Sequence, residues 1–355
     1  MATGTSGSPS ATLQLEPLAG PAMLDRPGGT QGPARRHGIR GFIIRRILQG
    51  LLVLVLVSIV VFGATQALGD PARAILGRSA TPASLAALRE QLHLNDPLIT
   101  QYFRWALGII HGDAGRSLAA QEPVSKLLAD RLVNTAFLLV CSAVISIPLS
   151  IALGAYAALW RDRSFDVVTS LITLLLAALP EFVVGVALVV LFATTVFHLL
   201  PAISLIPPGA RPWQPQYLLG MILPTATLII AVSPYVARIM RASMVEVLES
   251  DYVEMARLKG LPERLVLRRH ALPNALGPTF QVIAINLAYL AGGVIVVEYI
   301  FNYAGIGGAL RDAVANHDIP VVQALAMVIA GLYVVLNLLA DIATILVTPR
   351  MRTKL

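Results

Sequence analysis

Charged side chains concentrate in one segment, 251–274, which lies between two long apolar runs. The segment reads DYVEMARLKGLPERLVLRRHALPN, and carboxylates and cations alternate along it with apolar residues. Charged groups of this kind can form charge-assisted hydrogen bonds to another protein. Gly260 suits the left-handed turn that ends a helix, and Pro262 suits the first turn of the next one. The segment therefore predicts two short helices that meet at Gly260 and form a docking surface for a soluble partner.

The sequence lacks the local motifs of common catalytic sites. It has no GxxxxGK[ST] phosphate loop, no HExxH and no CxxC. The glycines of 305–308 lie beside an apolar run without a following lysine, which favours a tight turn over a phosphate loop. The six histidines form no pair at metal-ligand spacing, and the single cysteine, Cys141, lies inside an apolar run. We therefore expect no catalytic, cofactor or metal site in this chain.

A few ionisable or amide side chains fall within or at the edge of apolar runs. A charge in hydrocarbon is costly and usually faces a cavity or a partner. Glu181 follows Pro180, so it either lines a pathway at a broken helix or bonds backbone groups that the proline frees. Asn337 and Asp341, one turn apart, favour hydrogen bonds between helices over contact with a transported solute. Glu298, at the end of an apolar run, is expected to be solvated or paired.

The composition is that of a polytopic membrane protein. Of the 355 residues, 56% are hydrophobic and 13% are charged, whereas soluble domains carry about 25% charged residues. The net charge of +7 does not indicate nucleic-acid binding, because the basic residues cluster at the ends of apolar runs. Basic residues at those positions set the topology of a membrane protein and contact lipid headgroups.

Six apolar runs are long enough to cross a bilayer, which takes about 20 residues. They are 47–68, 132–159, 167–200, 217–237, 276–297 and 321–347. The basic residues that flank them place both termini in the cytoplasm. Pro148 in the second run and Pro180 in the third each predict a kink or a break.

The regions outside these runs have distinct predicted roles. Residues 1–38, rich in Gly, Pro and Ser, are expected to form a disordered cytoplasmic tail before a membrane domain at 39–355. An external insert, 69–130, should contain helices near 82–92 and 98–110, the first opened by Thr81 as N-cap. The loop 238–272 carries seven Lys or Arg residues, which makes it the strongest candidate for the cytoplasmic side.

The polar segment resembles the EAA motif of binding-protein-dependent ABC importer permeases. That motif reads E-A-A, three residues, G, nine residues, I-x-L-P. The matching residues here are Glu254, Ala256, Gly260, Leu272 and Pro273. Met255 replaces the first alanine and His270 replaces the isoleucine.

Further segments are similar to the dipeptide, oligopeptide and nickel permease subfamily, and the similarity covers about residue 40 to the end. These segments are 69–71, 94–98, 101–102, 111–117, 298–307, 318–323, 337–341 and 349–350. The resemblance implies an all-α fold of the type I importer, with six transmembrane helices and cytoplasmic coupling helices. It also implies a permease of di- or oligopeptides in a prokaryotic plasma membrane.

The resemblance further implies the partners of the chain. They are a second homologous permease, two cytoplasmic ATPase domains that hold ATP and Mg, and an external substrate-binding protein. The residues that would then couple the chain to an ATPase are Glu254, Ala256, Arg257, Lys259, Gly260, Leu272 and Pro273. A charged side chain here can equally be solvated or touch lipid headgroups. An ion-gradient-driven secondary transporter with Glu181 in its pathway is the alternative, and a membrane-embedded enzyme is disfavoured. The subfamily also transports nickel and other small solutes, so the resemblance does not select one substrate.

Overall fold

The computed structural model describes residues 39–67, 72, 76, 80–91 and 94–347, and these are built from α-helices with short π-helical segments. The expected tail 1–38 and the segments 69–71 and 349–350 lie outside the described residues. In chain order the helices are α1 (Ile39–Ala67), α2 (Pro82–Gln91), α3 (Leu98–Ile110), α4 (Val124–Leu159), α5 (Ser164–Ala178), α6 (Glu181–Val189), α7 (Pro215–Leu248), α8 (Asp251–Leu258), α9 (Glu263–Leu265), α10 (Leu272–Ile300), α11 (Ile306–Ala315) and α12 (Ile319–Val347).

Four of the described helices, α1, α4, α7 and α12, are each long and apolar enough to cross a membrane. Two bent pairs of helical segments pass the same test together. One pair is α5 with α6 and its π-helical end. The other pair, Glu263–Leu290 with Gly292–Ile300, runs from α9 to the end of α10 and bends by 49° within α10. The described residues therefore hold four membrane-crossing helices, or up to six if each bent pair forms one span. The six apolar runs of the sequence coincide with these elements.

The third apolar run breaks at its proline, as predicted. Leu179 and Pro180 are extended, α6 begins at Glu181, and the axes of α5 and α6 differ by 104°. Of the kink or break expected at Pro148, a break does not occur, because α4 continues through that residue to Leu159. A proline removes one hydrogen bond from a helix interior. Helix α4 also packs closely on α7.

That packing brings two backbones into contact. A Cβ atom added to Gly154 of α4 would lie 2.7 Å from the Cβ of Met240 and 3.0 Å from the backbone nitrogen of Arg241, and would overlap the carbonyl oxygen of Ala237. A side chain at this position would therefore push α4 and α7 apart. The absence of a side chain at Gly154 sets the closeness of the two helices.

Helix α7 is the central element of the described fold. Within its most apolar stretch 61% of residues are buried, against 11% for α1. The helix also runs further than the sequence predicted, because residues 238–248 of the expected loop 238–272 continue it. These residues include no glycine or proline that could end a helix. The charged residues of this stretch are expected at the edge of a bilayer. Charge alone does not indicate where a helix ends.

The insert contains two described helices, of which α3 packs on α1. Helix α2 begins as predicted: Ser84 donates its backbone N–H to the Thr81 hydroxyl over 3.2 Å, and Thr81 donates its own to the Ser84 hydroxyl over 2.9 Å. Helix α3 has the predicted bounds. Its Tyr102 hydroxyl is 2.8 Å from the Ser58 hydroxyl, and its ring meets the Phe62 ring edge-on at 5.5 Å.

Two buried carboxylates fix the segment around α11. Glu298 is fully buried, so it is not solvated; it accepts hydrogen bonds from the Thr135 hydroxyl at 2.5 Å and the Gly307 N–H at 2.7 Å. Asp318, also buried, accepts from the Ser117 hydroxyl and from the backbone N–H groups of 118 and 119. Each carboxylate therefore ties elements that are far apart in sequence.

Candidate functional site

The polar segment folds as two short helices joined at Gly260, which confirms the predicted break. Gly260 has φ +75°, and a Cβ atom there would meet nothing within 4 Å. Its N–H donates to the Arg257 carbonyl over 2.9 Å and closes the turn, and Pro262 directly precedes α9. A left-handed backbone favours glycine even where space is free. The glycine is therefore required by conformation.

One face of α8 packs against the body of the loop. Val253 and Ala256 are buried together with Val266, and Val247 at the end of α7 packs against this cluster. The resemblance assigned Ala256 to contact with an ATPase, but its side chain lies inside the loop. Its role in this structure is to hold α8 against the end of α7.

The opposite face of α8 exposes large apolar side chains. Tyr252, Met255 and Leu258 are 45%, 53% and 74% exposed and follow one another at intervals of three residues. Residues at that spacing share a side of a helix. Exposed apolar side chains grouped on one surface are typical of a protein contact site. This face was not predicted from the sequence, although the Y-x-x-M-x-x-L spacing is a signal that indicates it.

The charged residues of the loop divide into two groups. Glu254 and Lys259 are exposed beside the apolar face of α8. Arg257 instead bonds within the loop: its Nη2 is 2.9 Å from Glu263 Oε1, across the Gly260 turn. The hydrogen bond to Glu263 raises the pKa of Arg257 above its ordinary value. Arg257 therefore braces α8 against α9.

The end of the motif lies where the loop meets α10. A π-helical segment, Val266–Ala271, precedes α10, with Leu272 half-buried and Pro273 exposed in its first turn. The Asn274 amide donates to the His270 carbonyl over 2.6 Å. The structure thus brings Glu254, Lys259 and Gly260 to the exposed part of the loop, whereas Leu272 and Pro273 belong to its connection with α10.

Glu181 lies in the first turn of α6, at the break after Pro180. The Tyr289 hydroxyl of α10 donates a hydrogen bond to Glu181 Oε2 over 2.9 Å. A Cβ atom added to Gly293 would lie 3.5 Å from Glu181 Oε1. A carboxylate at the start of a helix also interacts favourably with the helix dipole. Glu181 therefore joins α6 to the middle of α10 and remains partly exposed.

The two residues predicted to link helices at the end of the chain behave differently. Asp341 of α12 forms an ion pair with Arg46 of α1, Nε to Oδ2 at 3.0 Å, which confirms a link between helices. Asn337 donates its amide to the Tyr333 carbonyl of its own helix over 2.8 Å. The hydrogen bond that the structure shows for Asn337 therefore lies within α12, and the role in inter-helix packing stays a prediction.

Known protein families match both parts of the chain. The family "Binding-protein-dependent transport system inner membrane component" matches residues 150–353, and its N-terminal counterpart, "Binding-prot-dependent transport system membrane comp, N-term", matches residues 39–139. The first match includes the α8–Gly260–α9 loop, and the second includes α1 and the described part of the insert.

Full-length relatives agree with these matches. The chain is 38% identical to the probable peptide ABC transporter permease protein y4tP of Sinorhizobium fredii, over 88% of this chain and 99% of that protein. It is 35% identical to the glutathione transport system permease protein GsiC of Escherichia coli K12, with the same coverage. These relatives do not support the alternative of an ion-gradient-driven transporter. The chain is a multi-pass membrane protein that belongs to the family of binding-protein-dependent transport system inner membrane components.

Proposed function

We propose that this chain is one permease subunit of an ATP-driven peptide importer in a prokaryotic plasma membrane. The relatives support a peptide substrate, since one is named as a peptide permease and the other as a permease for glutathione, a tripeptide. The chain forms half of the translocation pathway, and a second homologous permease forms the other half. An external substrate-binding protein delivers the peptide.

In this proposal the chain crosses the membrane six times, with each bent helix pair as one span. Both termini and the α8–Gly260–α9 loop are cytoplasmic, and the insert 69–130 and α11 lie outside. The seven basic residues of 238–272 support this orientation through the preference of Lys and Arg for the cytoplasmic side. The proposed topology puts the exposed face of α8 where a soluble ATPase can reach it.

The observation that carries the proposal is the two-sided packing of α8. Its inner face is bound to the end of α7 through Val253 and Ala256, and its outer face presents Tyr252, Met255 and Leu258. An ATPase groove that holds the outer face can move α8, and α8 moves α7 with it. Glu254 and Lys259 add charged contacts at the edge of this face. ATP and Mg belong to the two ATPase domains.

The broken third span is the proposed part of the pathway. Pro180 ends the regular hydrogen bonding of α5, and Glu181 places a partly exposed carboxylate beside α10. A broken helix inside a membrane is tolerated where it lines a cavity or is covered by protein. We therefore assign Pro180 and Glu181 to the wall along which the peptide passes.

The test reverses one charge on the outer face. Glu254→Lys should abolish uptake of a radiolabelled tripeptide while the variant inserts into the membrane in normal amounts, because the defect lies in docking. Glu246→Lys, at an exposed site on the last turns of α7, is the matched control and should retain uptake. An ATPase that co-purifies with the wild type should be lost from Glu254→Lys. Normal uptake by Glu254→Lys would contradict the proposed coupling.

A further inference from the structure

Helix α3 carries a stripe of large apolar side chains that the rest of the described chain leaves exposed. Ile99, Phe103, Leu107 and Ile110 are each between 54% and 77% exposed. Successive members of this set are three or four residues apart, so all four lie on one side of the helix. None of the residues Leu98–Ile110, all of which the structure describes, is buried. The four residues, the α3 stripe, are typical of a site that meets another apolar surface.

The opposite side of α3 packs on α1, within the apolar run of that helix. The Tyr102 hydroxyl is 2.8 Å from the Ser58 hydroxyl. The ring centroids of Tyr102 and Trp105 lie 5.5 and 5.8 Å from that of Phe62. Ser58 and Phe62 come before Ala67, where α1 ends, by about 14 and 8 Å along the helix. Helix α3 therefore lies beside the end of a membrane span and not beyond it.

The surface of α1 around this contact is also apolar and exposed. Leu56, Ile59 and Val60, within two residues of Ser58 in the chain, are each more than half exposed. Interfaces between membrane helices are enriched in small residues that let two backbones approach, as Gly154 does between α4 and α7. The α3 stripe holds only large side chains. The stripe and the neighbouring part of α1 therefore fit lipid better than a second membrane helix.

The remaining side of α3 carries polar residues. Gln101 and Arg104 border a cavity of about 350 Å³ between α1, α3 and α12, and Arg104 Nη2 is 2.7 Å from Asp96 Oδ2. At 13 residues, or about 20 Å, α3 is too short to cross a bilayer. A short helix with an apolar stripe and a charged flank is typical of one that lies in the membrane interface. Tyr102 and Trp105 suit that level, where Tyr and Trp are enriched.

We propose that α3 lies in the outer interface of the bilayer, with the α3 stripe inserted among the lipid acyl chains. The choice of the outer side rests on the proposed topology, whereas the contact with lipid does not depend on peptide import. A soluble binding protein would have to enter the hydrocarbon to reach the stripe, which favours lipid as the occupant. The helix thereby anchors the described part of the insert at the membrane surface.

The experiment measures the surroundings of single nitroxide labels on the complete transporter, with its partner permease, ATPase and binding protein, in phosphatidylcholine vesicles. Phe103→Cys and Leu107→Cys, each in a Cys141→Ser background with cysteine-free partners, carry the label. Oxygen dissolves in lipid, whereas a nickel chelate stays in water. Collision of the label with oxygen should therefore exceed collision with the chelate several-fold at both positions.

Two further labelled positions are the matched controls. Val60→Cys, on the exposed surface of α1, should show the same excess of oxygen over the chelate. Asn95→Cys, exposed in the turn before α3, should show the opposite. The replaced side chains of the α3 stripe are exposed, so both stripe variants should assemble like the wild type.

An excess of the chelate at residues 103 and 107 would place the stripe in water and overturn the inference. Weak collision with both reagents would show that the partner permease or the binding protein covers the stripe, and would overturn it too. Failure of both stripe variants to assemble would likewise assign the stripe to a protein contact. The readout does not use transport, so a transporter that imports no peptide would contradict the proposed function and leave this result unchanged.

Discussion

At the scale of single residues, the segment around α11 is held by the buried Glu298 carboxylate and by glycines that leave room for it. The Thr135 hydroxyl bonds the Glu298 carboxylate and also accepts the Ile306 N–H over 3.0 Å. A Cβ atom added to Gly305 would overlap that carboxylate, and one added to Gly307 would lie 2.6 Å from the Ile295 carbonyl oxygen. The glycines of this segment therefore make room for a buried acid, which the sequence alone does not show.

Gly305→Ala should destabilise the protein, because the methyl group displaces Glu298 from the Gly307 N–H and leaves buried polar groups unsatisfied. We expect a cost of about 2 kcal/mol, measured as a lower midpoint of thermal unfolding for the purified transporter in detergent. Gly331→Ala is the control, since a Cβ atom there meets nothing within 4 Å. Equal unfolding midpoints for Gly305→Ala and the wild type would show that Glu298 does not depend on this space.

Among the elements, the turn between α8 and α9 combines an unusual backbone with an exposed position. Two glycines provide a comparison, because Gly260 and Gly112 both have positive φ, +75° and +82°, and neither has an atom within 4 Å of an added Cβ. Alanine at either position adds a similar backbone strain, about 1 kcal/mol. Only Gly260 lies in the loop proposed to contact the ATPase.

Gly260→Ala should therefore lower ATP-driven tripeptide uptake several-fold, because the strain tilts α8 relative to α9 at the docking surface. Gly112→Ala carries the same strain in the insert and should transport like the wild type. Both variants should be inserted and assembled to the same extent, which quantitative blotting of membranes can check. An equal loss of uptake in the two variants would attribute the effect to stability and not to coupling.

The sequence predicted the elements better than their limits. Apolar runs located the long helices because each must cover a bilayer's thickness, and Gly260 and Pro262 located the turn because their backbone preferences are local. Helix α7 passed the expected end at Ala237, since charge does not stop a helix. Pro148 and Pro180 both lie in apolar runs, yet the helix continues through Pro148 and breaks at Pro180.

The candidate site shows the same division between local and tertiary information. The exposure of Glu254 and the left-handed turn at Gly260 follow from residue type and spacing. The burial of Ala256 does not, because it depends on Val266, which the chain brings back only after the turn.

For the whole molecule, the distribution of buried surface separates a central helix from peripheral ones. Helix α7 is mostly enclosed, whereas α1 exposes large apolar side chains along its length. Such a surface is stable only against lipid or another apolar protein surface. This agrees with a membrane protein whose fold is completed by its surroundings.

The proposed topology predicts which loops are accessible from each side. In a Cys141→Ser background, Asn316→Cys at the exposed end of α11 should react with a membrane-impermeant maleimide added to intact spheroplasts. Lys259→Cys, exposed beside Gly260, should react only after the membrane is opened. Labelling of Lys259→Cys in intact spheroplasts would show that the proposed orientation is inverted. If neither cysteine is labelled under any condition, the two positions are not exposed as proposed.

The close contact at Gly154 has a mechanical consequence. Helix α7 is continuous over 34 residues, about 51 Å long, and α4 meets its backbone at Gly154. Two helices in such contact can tilt together but cannot slide far past each other without separating. Under the proposed coupling, a displacement that α8 delivers to the inner end of α7 would therefore carry α4 along with α7.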